Sequence, residues 1–191
     1  MINQYKQLCT HISELVHIDN HDEKCISERF DAKELRKKDI LLGQGSVSNH
    51  MMFISKGCLI TYALDNGVER VLQIGIENWW VNDLNSFFTQ TASAYSIKAI
   101  EESIVFQIQR DELELLFREV PKMERFFRLK IQNAYTAQQA RFISNVTETA
   151  EERYANFRTK YGMLEQRVPQ YMVASYLGIT PEFLSTIRKS T

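Results

Sequence analysis

The sequence predicts an α+β chain: a β-rich roll, sandwich or barrel of roughly eighty residues, then one long helix, then a helix-turn-helix. Three observations carry this. From Phe30 to about Gln109 the chain runs in alternating or β-branched stretches broken by turn signals. From Pro121 to about Thr147 no later proline and no glycine interrupts it. From Gln170 the segment QYMVASYLGITPEFLSTIRKS has the apolar spacing of two helices crossing through a tight turn.

Each element has its own warrant. Residues 1 to about 28 read as helical, with Ile12, Leu15 and Val16 on one face. Turns are signalled by GQG at 43–45, by Lys56–Gly57 and by Asp65-Asn66-Gly67. The NG step between TYALD and VERVLQIGI is a strong hairpin signal. YSIKAI and SIVFQI, separated by Glu101–Glu102, read as another antiparallel pair. DELELLFREV is a short helix, and Pro121 suits the start of the next. That helix would run about 27 residues, or ~40 Å. Val120, Phe127, Ile131 and Ala134 lie at the alternating steps of a two-helix seam, which turns polar at Gln138 and Arg141. The seam fits either a dimer helix or packing against the chain's own β domain. AEERYANFRTKY forms a further helix after a break at Thr147–Thr149.

In the terminal segment Val173, Ala174, Leu177, Ile179, Leu184 and Ile187 form the inner faces. Ala174 is small at the crossing, and Gly178 supplies a turn residue free to take positive φ. Thr180 is a good N-cap for the second helix and Pro181 a good first-turn residue. The pattern predicts DNA reading, although a plain αα-hairpin carries the same spacing.

Composition sets the bounds. A chain of 191 residues holds one or two domains, and 44% apolar residues suffice for real cores. Net charge is −1, so no global basic field announces nucleic acid. Arg153, Arg158, Lys160, Arg167, Arg188 and Lys189 give the C-terminal end a local positive bias. The N-terminus lacks a signal-peptide pattern, and no apolar run reaches the ~20 residues of a membrane span. Cys9, Cys25 and Cys58 are odd in number and widely spaced, as reduced thiols in a cytoplasm are, so a cytoplasmic location is expected. An enzyme is not expected. His11, His17 and His21 precede the roll and His50 stands alone within it, so metal ligands do not converge. GxSxG, the P-loop pattern and GxGxxG are all missing. Glu101–Glu102 and Glu151–Glu152 are sequence neighbours whose side chains point apart.

A β-roll, a long helix and a terminal helix-turn-helix, in that order, resemble the CRP/FNR family of bacterial transcription regulators. LLGQGSVSNHMMFISKGCLITYAL looks like that family's LLxxG…FIxxGxL core, and the C-terminal forty residues look like members common in Bacteroidetes. The resemblance implies a double-stranded β-helix of the cyclic-nucleotide-binding type over 1–120, a dimerisation helix over 121–147 and a DNA-binding domain over 148–191. It also implies a homodimer on palindromic double-stranded DNA, with RNA polymerase a further candidate partner and no membrane role. WWVNDLNSF falls where the family places its phosphate-binding cassette. Members that bind cyclic AMP carry Gly-Glu-Leu there and Arg-Ser/Thr about ten residues on. Here Asn82-Asp83-Leu84 matches the first element and Ser93-Ala94, ahead of Tyr95-Ser96, the second; the arginine is gone. A guanidinium–phosphate pair is the strongest contact such a pocket can make, so ordinary cyclic-AMP binding is not expected.

Lys98, on the face of Ser96 by alternation, is the nearest cation. Another small effector, or none, would meet Trp79, Trp80, Asp83, Tyr95 and Ser96, with Gln138 and Gln139 matching the family's base-contacting positions. Tryptophans serve equally as core anchors. On the DNA side the family's arginine, glutamate and second arginine match Pro181, Glu182 and Thr186. Glu182 suits a cytosine amino group; Ser185 and Thr186 suit a base or a phosphate; Gln170, Arg188 and Lys189 suit phosphates. The family's wing hairpin has no counterpart before Thr191. The rival expectation is a ligand-sensing or protein-interaction module whose helix-turn-helix has degenerated.

Overall fold

The computed structural model describes residues 5–190, with no account of the Ser190 side chain. The chain begins with α1 (Lys6–Ser13) and α2 (Asn20–Arg29). Five strands follow: β1 (Asp31–Leu35), β2 (Ile40–Leu42), β3 (His50–Lys56), β4 (Leu59–Asp65) and β5 (Val68–Gly75). After α3 (Leu84–Thr89) come β6 (Ser96–Ala99) and β7 (Ser103–Gln109). The rest is helical: α4 (Arg110–Glu119), α5 (Lys122–Thr147), α6 (Ala150–Tyr161), a 3₁₀ turn at Gly162–Gln166, α7 (Gln170–Leu177) and α8 (Pro181–Ser190). This is the predicted α+β architecture, and among the described residues no helix is long and apolar enough to cross a membrane.

The strands make two antiparallel sheets, β1-β7-β3 and β2-β6-β4-β5. Between them lies a core of Met52, Ile54, Leu59, Val81, Ile97, Ala99 and Val105. The outer face of the first sheet carries Met51, Phe53, Phe106 and Ile108 against Leu8, Ile12, Leu116, Met123 and Phe126 of the helices. The outer face of the second carries Ile60, Tyr62, Val71 and Ile74 against Tyr154, Phe157, Met172 and Val173. The inner strands β3, β4 and β7 are therefore covered on two sides, which is why they read as largely apolar runs, whereas β1 is exposed over residues 31–34.

The NG hairpin forms as the sequence predicts: Asp65 pairs with Val68, and Asn66 and Gly67 both take positive φ. The described part of the N-terminal region is helical as expected, in two helices, because Asp19 opens a second. Its carboxylate accepts from the His21 and Asp22 amides while Asp22 accepts from the Asp19 amide, a reciprocal cap that starts α2 afresh. The part of that expectation at residues 1–4 lies outside the described residues. One expectation fails: β6 and β7 do not pair with each other. β6 lies between β2 and β4, β7 between β1 and β3, and residues 100–102 carry the chain from one sheet to the other.

The return crossing, from β3 to β4, is made at Gly57, beside the start of β7. Gly57 has φ 98°, and a Cβ there would run into the Ser103 side chain and lie 2.7 Å from the Glu102 carbonyl oxygen. Two corners of the sandwich thus share one point, which only glycine fits. Gly57→Ala should cost about 2–3 kcal/mol by combining strain and overpacking, and lower the thermal midpoint by roughly 5–10 °C. An unaltered midpoint would mean the corner is not tight.

Candidate functional site

The C-terminal helices build from local signals. Thr149 caps α6 by accepting from the Glu152 amide, and Glu152 accepts from the Thr149 amide in return. α7 ends at Gly178, in the left-handed region at φ 70°, and the Ile179 amide reaches back to the Ala174 carbonyl at 3.0 Å. Thr180 then caps α8, its hydroxyl accepting from the Phe183 amide at 3.2 Å. Val173, Ala174, Leu177, Leu184 and Ile187 are buried between the two helices and α6, with Ile179 half-buried beside them.

That packing leaves one face of α8 in solvent. Pro181, Glu182, Thr186, Arg188 and Lys189 are exposed, Ser185 is half-buried, and Gln170 and Thr180 are exposed at the starts of their segments. Glu182, Ser185, Thr186 and Lys189 stand three, four and seven residues apart, so they share a face. The Thr186 hydroxyl donates to the Glu182 carbonyl. An open groove of about 700 Å³ runs between α6 and α8 past Tyr154, Arg158, Phe183 and Thr186.

The cassette residues are mostly engaged with their own chain. Asp83, buried, caps α3 by accepting from the Ser86 amide at 3.0 Å and accepts from the Ser93 hydroxyl at 2.7 Å. Its carboxylate therefore ties together the two elements that the resemblance assigns to one ligand. Burial first, then the Asp83 charge and hydrogen bond, push the Tyr95 phenol well above its ordinary range. The Asn82 side chain accepts from the Met52 amide at 2.7 Å, and the Ser96 hydroxyl accepts from the Gln44 amide at 2.9 Å. Leu84 packs on the helix-side core. Trp80 sits among Phe30, Phe53, Phe126 and Phe127 with ring centroids 5.0–6.3 Å away, as a core anchor. Trp79 lies edge-on to Tyr161 of α6 at 5.6 Å. Lys98 pairs with Glu69 and lies over the Tyr62 ring, on the sheet's outer face. Gln138 and Gln139 are exposed on α5, where Gln139 donates to the Tyr135 hydroxyl at 3.0 Å.

Along α5, Val120, just before its start, and Phe127 are buried in the chain's own helix-side core, Ile131 is half-buried and Ala134 exposed. The predicted seam thus faces its own domain at its N-terminal end. Farther along, Tyr135, Phe142, Ile143 and Val146 are 58–71% exposed.

Sequence reasoning missed the contacts that hold α6–α8 on the sheet. β5 bulges at Leu72, opposite the step from Thr61 to Tyr62. The Leu72 carbonyl accepts from Arg141 of α5, which also donates to the Tyr176 carbonyl and stacks 4.0 Å over that ring. The neighbouring Val71 amide donates to the Ser175 hydroxyl at 2.9 Å. At the other end, Arg167 makes a two-pronged pair with Glu77 at 2.8 and 2.9 Å and reaches Glu101 as well. Glu77 also accepts from the Gly57 amide. The only sequence signal was Arg141 interrupting an apolar seam.

Residues 32–120 match the sequence family described as the cyclic nucleotide-binding domain. No curated protein matches the sequence. Among solved structures, the chain is similar to a CooA variant from Carboxydothermus hydrogenoformans, with a TM-score of 0.72 and 15% identity over 94% of this chain and 82% of that one. The c-di-GMP responsive global regulator CLP of Xanthomonas campestris gives 0.73 and 12% over 90% and 91%. FixK2 from Bradyrhizobium japonicum gives 0.71 and 16% over 84% and 83%. Residues 32–120 are thus similar to the cyclic nucleotide-binding domain, and the chain has the fold of the CRP/FNR regulators.

The Arg167 clamp carries a pH dependence. Burial raises the Glu77 carboxyl, but its hydrogen bonds from Arg167 and from backbone amides outweigh this and hold it below the ordinary value of 4.5. A carboxyl lowered on folding stabilises the clamp fully above the unfolded value, and that contribution is lost as pH falls through the folded value. Amide exchange in α6–α8, corrected for its intrinsic pH dependence, should therefore be the same at pH 7 and at about pH 6 and quicken below about pH 4. Arg167→Ala should quicken it several-fold at pH 7 and remove this acid step; an unchanged step would assign it to other carboxyls.

Proposed function

We propose that the chain is a homodimeric, DNA-binding transcription regulator of the CRP/FNR type, in which α8 enters the major groove. The carrying observation is the packing of the helix-turn-helix. Its apolar residues are buried, while Glu182, Ser185, Thr186 and Lys189 lie along one solvent-facing side of α8. Glu182 reads a base, and Arg188, Lys189 and Gln170 contact phosphates. The exposed residues Tyr135, Phe142, Ile143 and Val146 supply an apolar stripe by which α5 pairs with α5 of a second copy. RNA polymerase is the further partner such a regulator addresses.

The sensor role belongs to the cyclic nucleotide-binding-type domain, without the usual arginine–phosphate contact. Asp83 is already held by Ser86 and Ser93, and Lys98 by Glu69. A cyclic phosphate placed at the cassette would lack a guanidinium partner. An effector, where one acts, shifts the population of helix-turn-helix orientations rather than undergoing chemistry.

Selection from random duplexes, followed by anisotropy at rising salt, tests this reading. A palindromic site with half-sites ~34 Å apart and a steep loss of affinity with salt is expected. Absence of both would favour a protein-binding module. Glu182→Ala should relax preference at one position per half-site by about 1–3 kcal/mol. Arg188→Ala or Lys189→Ala should weaken binding to all sequences alike and lower the salt slope by about one each. Phe142→Asp should give a monomer by light scattering at micromolar concentration; a persistent dimer would place the interface elsewhere on the chain.

A further inference from the structure

We propose that Lys130 is a nucleophilic amine that accepts a small acyl group from acyl phosphates, with His11 as its base and Glu14 as the residue that holds His11 in register. The three side chains form a relay. His11 Nδ1 lies 3.3 Å from the Glu14 carboxylate, and His11 Nε2 lies 3.1 Å from Lys130 Nζ. With Glu14 accepting from Nδ1–H, the network assigns Nε2 as the free acceptor that faces the amine. A nucleophile within hydrogen-bond reach of a base that a third group orients is the arrangement that activates side-chain nucleophiles.

The surroundings favour this use. His11 is buried, its ring 5.2 Å from that of Phe53 and edge-on to that of Phe126 at 6.1 Å. Lys130 is half-buried and Glu14 exposed, so the relay opens to solvent. Lys24, Lys98 and Lys122 each pair with a carboxylate, which stabilises an ammonium; Lys130 meets an imidazole instead. Burial pushes the Lys130 ammonium below its ordinary range against the opposing pull of Glu14. Burial and then the Lys130 charge push the His11 imidazolium down as well, with Glu14 opposing.

The step balances as follows. One proton passes from the Lys130 ammonium to His11 Nε2, and the resulting imidazolium is steadied by Glu14. The free amine attacks the acyl carbonyl carbon, forming an N–C bond. The C–O bond to phosphate breaks, and the phosphate leaves with the electron pair and the second nitrogen proton. His11 returns its proton to water. The activated donor is required because an amine does not displace the oxygen of a free carboxylate. The product is neutral where Lys130 was cationic, at the joint between α1 and α5.

The test is incubation of the full chain with acetyl phosphate, followed by peptide mass spectrometry of each lysine. Lys130 should be labelled roughly tenfold or more faster than the exposed Lys24 and Lys160, with a rate that levels off at lower pH than theirs. His11→Gln should cut the Lys130 rate about tenfold and leave Lys24 and Lys160 unchanged. Glu14→Gln, at an exposed position, should cut it a few-fold, and this variant decides should His11→Gln not fold. Labelling of Lys130 no faster than of Lys24, or unchanged by Glu14→Gln, would overturn the proposal.

Discussion

The second face of the four-stranded sheet is the constraint on which the rest of the molecule depends. One side of β2-β6-β4-β5 closes the roll interior; the other, through Ile60, Tyr62, Val71 and Ile74, must be kept from water too. Tyr154, Phe157, Met172 and Val173 of the C-terminal helices cover it. Side chains of this size contribute about 1.5–3 kcal/mol each when fully buried, before the entropy of ordering is set against them. Apolar burial alone does not fix an orientation, since it has no direction. The polar contacts at the rim supply that: Ser175 and Arg141 at the β5 bulge, Arg167 on Glu77 and Glu101 at the far end. Any signal that turns the proposed reading helix has to offset this apolar contact and break at least one of these rim contacts.

The segment around Asp83 satisfies its polar groups from within the chain. Asp83 stands at the head of α3, and Ser93 faces it. A direct carboxylate–hydroxyl bond joins the two, with Tyr95 hydrogen-bonded to the same carboxylate. Such a closed network satisfies its own members, which a buried polar group requires.

Local chemistry made much of this legible in the sequence. Asn66–Gly67 dictates a two-residue turn; Gly178, Thr180 and Pro181 dictate where one helix stops and the next begins; an unbroken run after Pro121 dictates a long helix. Sheet membership was not legible. Strands covered on both faces lose the alternation that tells inside from outside, so SIVFQI and its neighbour YSIKAI gave no sign of lying in different sheets. The rim contacts were hidden for a different reason. Arg141 meets a carbonyl 69 residues away and Arg167 a carboxylate 90 residues away, and no local pattern marks such partners. Asp83 was found as a candidate by resemblance, but that its hydrogen bonds are spent within the chain follows only from the coordinates.

α5 joins these parts and is itself two different helices end to end. Its first turns bury Met123, Phe126 and Phe127 in the helix-side core, so they are fixed by tertiary packing. Beyond Asn133 the same helix exposes Tyr135, Phe142, Ile143 and Val146, and Arg141 ties it to β5 and α7. A helix in water draws most of its stability from packing of an apolar face rather than from propensity, and this half has an apolar face that the described residues leave exposed. A second copy of the same helix offers a matching stripe, and the three- and four-residue steps from 135 to 142 to 146 are those of such a seam once Gln138 and Gln139 are allowed for. Because Arg141 stands in that same stretch, closing the seam and holding the C-terminal helices against the sheet act on one segment of chain. In the proposed dimer, seam packing and the orientation of α8 would therefore be mechanically coupled through Arg141.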